Sequence, residues 1–260
     1  MHTVSSQDGT TIAYDRTGDG PALVMVVGAF CDRQTTNSIA KVLAPEFTVY
    51  AYDRRGRGGS GDTAPYAAER EVEDLAAVAT AAGGAPFVFG HSSGAILALE
   101  AAARGVPMAK LVAYEPPYIV DDTRARPGAD LAARLTALVA GGQRGDAAKL
   151  FLTEGVGLPP EVVGMIDGSP DWPAMTALAH TLAYDIAVCG NTNELPAGRL
   201  AAIDVPTLVL GGGNSPEWFH NTVRAVADTV PGAELRFLAG QDHGAADDVL
   251  APVLIEFLRG

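Results

Sequence analysis

The sequence predicts an α/β fold: a mostly parallel, doubly wound sheet with a helical lid inserted after the sixth strand. Three observations predict it. Short, continuously apolar runs recur along the chain, as strands buried on both faces do. Helix-length, alanine-rich segments separate several of them, which covers a parallel sheet on both sides. The alternation then stops at residues 118–200, where the signals are helical.

Residues 11–18, TIAYDRTG, follow the turn residues QDGT and read as one arm of a hairpin. The run 22–28, ALVMVVG, has the character of a central strand. The runs 47–53 (FTVYAYD), 87–92 (FVFGHS), 111–117 (LVAYEPP), 206–212 (PTLVLGG) and 234–240 (ELRFLAG) repeat that form. Helices are expected at 35–46, 68–84, 94–105 and 218–232, three of which run into glycine or Pro-Gly, a usual helix stop. Residues 1–117 and 201–260 then form the core and 118–200 a lid over the C-terminal ends of the strands, where such sheets bind ligands. The segment DDTRARPGAD, 121–130, is a candidate hinge for that lid.

Composition narrows the function. The chain has 260 residues and a formal net charge of −13, which disfavours a nucleic-acid surface, since that needs clustered Lys and Arg. Two cysteines, Cys31 and Cys189, are too few for a disulfide framework and point to a reducing compartment. No zinc-site spacing is present. The polar start MHTVSSQDGTTIAY lacks a signal-peptide core, and no apolar run approaches the roughly 20 residues of a membrane span. The expectation is a cytoplasmic protein acting on a small molecule, without membrane, nucleic acid, metal or cofactor.

The strongest chemical signal is GHSSG, Gly90–Gly94, between an apolar strand and a helix-forming run. That context turns Gly-x-Ser-x-Gly into a nucleophile elbow: a tight turn that lifts the Ser92 hydroxyl above the sheet at a helix N-terminus. Serine needs an adjacent base, and histidine suits the role near neutral pH. Of five histidines, His243 alone lies on a loop after a strand; His91, next to Ser92, is expected to point away from the attack site.

These segments resemble the α/β-hydrolase family over nearly the whole chain. VVGAF (26–30) takes the place of the family's oxyanion loop, YDRRGRGGSG (52–61) that of its Asp-x-Arg-Gly-x-Gly-x-Ser segment, GHSSG that of the elbow, and LAGQDHG (238–244) that of the histidine loop. The resemblance implies Ser92 as nucleophile, His243 as base, and the N–H groups of Ala29 and Ser93 as oxyanion donors. Val27 stands where the family often has histidine. Phe30 then lines the acyl pocket or packs in the core, and lid residues Trp172, His180 and Tyr184 are further pocket candidates. The basic run 53–60 reads as scaffold, with Asp53, Arg54, Arg55 and Arg57 pairing locally.

The acid is the irregular point. The family usually carries it in the loop after strand seven, where this chain has Ser215, with Asn214 and Glu217 nearby. Asp242, Asp247 and Asp248 are other neighbours; the last two read as helix starts. Some family members place the acid after strand six, and there this chain has Glu115, which keeps the order nucleophile, acid, base. The expected activity is hydrolysis of a carboxylic ester, lactone or thioester of a small to medium apolar substrate. C–C bond hydrolysis or cyclisation of a ketide-like substrate and a non-catalytic ligand-binding role are the alternatives. Epoxide and haloalkane hydrolysis are disfavoured, because both need a carboxylate nucleophile in this fold.

Overall fold

The computed structural model describes residues 1–260. Eight strands form one sheet: β1 (His2–Ser5), β2 (Thr11–Thr17), β3 (Ala22–Val26), β4 (Thr48–Tyr52), β5 (Phe87–His91), β6 (Lys110–Tyr114), β7 (Thr207–Gly212) and β8 (Glu234–Leu238). Their spatial order is β1-β2-β4-β3-β5-β6-β7-β8. β2 runs antiparallel to β1 and β4, and all other neighbours are parallel. The eight strands include every run read from the sequence, together with a short first arm of the hairpin.

The period-two alternation of each central strand divides the core in two. Val24, Val26, Val88, Ala113 and Val209 face one side and pack with α2 (Ala68–Ala81), α3 (Ser93–Ala103) and α10 (Glu217–Thr229). Leu23, Met25, Phe89, Val112, Leu208 and Leu210 face the other and pack with α1 (Asn37–Leu43) and α11 (Asp247–Arg259). Both faces are dry, so the strands carry no polar alternation. Each fully buried Leu, Val or Phe contributes about 1.5–3 kcal/mol on this count.

Between β6 and β7 lies the helical insert: α4 (Leu131–Ala140), α5 (Arg144–Leu150) running into a π-helical turn (Phe151–Gly155), α6 (Pro160–Asp167), α7 (Trp172–Ala177), α8 (Leu182–Cys189) and α9 (Ala197–Leu200). It has its own apolar cluster, including Leu131, Leu135, Ala148, Phe151, Leu182 and Ile186, against which Ala29 and Phe30 of the core pack. The only extended pairing in the insert is an isolated bridge between Ile119 and Glu194. Several strands end one to three residues earlier than their apolar runs suggest. Val27, Gly28, Asp53, Ser92 and Glu115 have left the ladder and form loops along one edge of the sheet. Composition does not mark that boundary, because all of these loop residues but Ser92 are buried like the strands that precede them.

Candidate active site

Ser92 sits between β5 and α3 with φ 57° and ψ −127°, a conformation that L-residues rarely adopt. The flanking glycines explain how the turn closes. A Cβ on Gly94 would lie 2.2 Å from the Val26 carbonyl oxygen, and one on Gly90 2.6 Å from the Ala95 Cα. A Cβ on Gly28 would meet the Ser92 Cβ at 2.9 Å. Backbone approaches this closely only where side chains are absent. The Ser92 N–H donates to the Tyr114 carbonyl at 3.0 Å, and its hydroxyl does not cap α3. Phe30 (φ 59°) and Glu115 (φ 46°) are strained in the same sense. Strain on the order of 1–3 kcal/mol per residue is thus gathered at the C-terminal ends of three adjacent strands.

Glu115 is fully buried. One carboxylate oxygen accepts from His243 Nδ1 at 2.6 Å and the other from the Gly212 N–H at 2.8 Å. Burial alone raises this carboxyl, but hydrogen bonds from His243 and Gly212, with the Ser215 hydroxyl close by, outweigh it and hold it below the usual glutamate range. Ser215, in the place of the family's usual acid, is therefore a neighbour of the Glu115 carboxylate. The other acids lie elsewhere. Glu217 begins α10, Asp247 and Asp248 begin α11, and the Asp242 carboxylate accepts from the Gly244 N–H.

The His243 ring lies against Phe219 (centroids 4.8 Å apart) and His91 (4.6 Å). His91 is thus turned towards the histidine loop, where its Nε2–H donates to the His243 carbonyl at 2.8 Å. Burial and the neighbouring His243 push the His91 pKa down to about 3, so it braces the loop as a neutral ring. No hydrogen bond joins Ser92 Oγ to His243. Contacts of this kind commonly tighten only with substrate bound. The N–H groups of Ala29 and Ser93 have no partner within the protein. A cavity of about 150 Å³ adjoins His243 and His91 and is lined also by Val27, Cys31 and Tyr114. Burial pushes the Cys31 thiol up and the Cys189 thiol to about 12, so neither offers a thiolate near neutral pH.

The pocket candidates are engaged in packing. Phe30 meets Phe151 edge-on, with ring centroids 5.5 Å apart. Trp172 packs against the insert's apolar cluster with the Lys149 ammonium over its ring. His180 Nε2–H donates to the Gly56 carbonyl at 2.7 Å. Tyr184 stacks on Tyr66 at 3.8 Å and donates to Asp62 at 2.8 Å. His180 and Tyr184 therefore join the insert to the 53–62 loop.

That loop is scaffold, but its pairing is long-range, not local. Asp53 pairs with Arg33. Arg54 pairs with Glu71 and Asp185, Arg55 with Asp74 and Asp8, and Arg57 with Asp185. Successive side chains in a turn fan outward, so the guanidiniums reach carboxylates outside the loop: Glu71 and Asp74 on α2, Asp185 on α8, and Asp8. Asp185, on α8, had no motif to mark it. Burial raises its carboxyl, but Arg57 and Arg54 and the Ser93 hydroxyl outweigh that and hold it below the ordinary aspartate range.

No group of three His, Cys, Asp or Glu side chains is arranged to hold a metal ion, and no helix is long and apolar enough to cross a membrane. The family model described as "Alpha/beta hydrolase family" matches residues 23–253. A crystal structure of an alpha/beta hydrolase from Sphaerobacter thermophilus is 54% identical, with a TM-score of 0.95 over 99% of this chain and 100% of that one. The enol-lactonase from Burkholderia xenovorans shares the fold at 19% identity, with a TM-score of 0.76 over the full length of both chains. The N-formylmaleamate deformylase of Pseudomonas putida is 37% identical over 114 residues, a match that spans only 42% of either protein. With the matched model extending over most of the chain, the protein belongs to the alpha/beta hydrolase family.

Proposed function

We propose that the protein is a serine hydrolase that cleaves a carboxylic ester, lactone or thioester of a small to medium apolar substrate through an acyl-enzyme. The observation that carries this reading is the 2.6 Å contact between Glu115 and His243 Nδ1, beside a serine held in an elbow. In that reading the carboxylate fixes the tautomer with the proton on Nδ1 and leaves Nε2 free to act as base. Ser92 Oγ attacks the carbonyl carbon as its proton passes to Nε2. Glu115 stabilises the imidazolium, and the Ala29 and Ser93 N–H groups receive the oxyanion. The imidazolium protonates the leaving group. Water, deprotonated by the same nitrogen, then releases the acid and frees Ser92. The names of two relatives support acyl transfer to water, one a deformylase and the other an enol-lactonase.

The test is labelling with a fluorophosphonate, followed by assay of p-nitrophenyl esters, lactones and acyl thioesters. Stoichiometric labelling that Ser92→Ala abolishes, with turnover of at least one ester class, supports the reading. An unlabelled wild-type protein overturns it and leaves the fold as a ligand-binding module.

A further inference from the structure

The two oxyanion donors are held from behind by one carboxylate of the insert. Asp185 is 1% exposed on α8. Its Oδ1 accepts from Arg54 Nη1 at 2.7 Å and from Ser93 Oγ at 2.7 Å, and its Oδ2 accepts from Arg57 Nη2 at 2.8 Å. Arg57 Nη1 in turn donates to the carbonyls of Gly28 and Cys31, and Arg54 Nη1 to that of Val27 at 3.3 Å. The Gly28 carbonyl and the Ala29 N–H belong to one peptide unit. That unit is planar and trans, so its C=O and N–H point in opposite directions. Fixing the Gly28 oxygen on Arg57 therefore fixes where the Ala29 N–H aims. The second donor is the N–H of Ser93, whose own side chain ends on the same carboxylate. Arg57 reaches both Gly28 and Asp185 with separate nitrogens, a bridge that its planar fork allows and a lysine cannot reproduce.

We propose that Asp185 is a positioning residue: from the insert, it sets the aim of the two backbone donors that stabilise the oxyanion. This rests on the serine-hydrolase reading above. The alternative is an ion-pair cluster that stabilises the fold and has no effect on the chemistry. Removing one partner from a buried pair is costly for stability in either case, so stability alone does not separate them.

The experiment compares Asp185→Asn, Arg57→Lys and Asp74→Asn with wild type. Asp74 forms an equally buried pair with Arg55, which touches none of residues 27–31. The readouts are thermal stability, kcat and KM on the best ester, and affinity for a trifluoromethyl ketone, whose adduct carries an oxyanion. Loss of an oxyanion donor costs about 100–1,000-fold in kcat. Misaiming should cost about 10–100-fold, with KM within about threefold and ketone affinity falling in parallel. Asp74→Asn should lose stability with kcat within about twofold. If Asp185→Asn does not fold, Arg57→Lys carries the test. A folded Asp185→Asn or Arg57→Lys with wild-type kcat and ketone affinity overturns the proposal. Failure of the hydrolase reading shows separately, as an unlabelled Ser92 in the wild-type protein.

Discussion

The carboxylate of Glu115, at the end of β6, accepts the backbone N–H of Gly212, the last residue of β7, 2.8 Å away. That bond ties the carboxylate to the strand after which the family usually carries its acid. With one oxygen occupied by Gly212, the other is held towards His243 Nδ1. Glu115→Gln keeps the volume but offers an amide in place of an ion, which removes the charge opposite the imidazolium. A fall in kcat of about 10³–10⁴-fold is expected, as for a neutralised triad acid. Glu217, exposed at the start of α10, should tolerate the same change within about twofold. Steady-state kinetics on both variants decide it, and a larger loss in Glu217→Gln would refute the assignment of Glu115.

Ser215 is 6% exposed and lies beside the Glu115 carboxylate. In the proposed triad the two positions are alternative seats for one acid. The exchange Glu115→Ser with Ser215→Asp should recover at least about tenfold of the kcat lost in Glu115→Ser alone. Ser215→Asp by itself should lower the melting temperature, because two adjacent carboxylates cannot both ionise at low cost. No recovery in the exchange variant would show that the loop after β7 does not present position 215 to His243.

The neutral His91 makes stability depend on pH. Its folded pKa of about 3 lies below the unfolded value of about 6.5. Between those limits the unfolded chain binds the extra proton, so stability falls as pH falls. The slope from this group is at most about 1.4 kcal/mol per pH unit, and smaller here because one edge of the residue meets solvent. Glu115 acts in the same direction but only at lower pH, because its depressed carboxyl gives up stability as pH falls through the carboxylate range. Urea midpoints at pH 7 and pH 5 isolate the histidine. Wild type should lose more than His91→Gln, and equal losses would remove His91 from the account.

Glycine is required at the elbow for space. Gly94→Ala places a methyl group 2.2 Å from the backbone oxygen of Val26 and should prevent accumulation of folded protein. Gly28→Ala meets the Ser92 Cβ at 2.9 Å and, less tightly, the His91 carbonyl oxygen at 3.2 Å, and displaces the serine. It should fold, yet react with fluorophosphonate at least about tenfold more slowly than wild type. Normal labelling of Gly28→Ala would show that the oxyanion loop yields without moving Ser92.

The sheet was legible because its strands are buried on both faces and read as unbroken apolar runs. The elbow was legible because a tight turn leaves glycines at fixed offsets around Ser92. Glu115 could be singled out because a lone carboxylate at an apolar strand end is costly without a partner. Asp185 and Phe219 were not legible. Each meets its partner only through the tertiary fold, Asp185 more than a hundred positions from Arg54 and Arg57, and neither is marked by local spacing. The pairing within 53–60 was misread for the same reason: adjacency in sequence said nothing about the directions in which the side chains leave the turn.

The buried carboxylate on α8 also bears on modular engineering of the protein. Inserts of this type are natural units to exchange when a new specificity is sought. Here a donor insert without an acid at the place of Asp185 would leave two interior guanidiniums without their shared counter-charge. Grafts should therefore be chosen first for that carboxylate and only then for the shape of the pocket they bring.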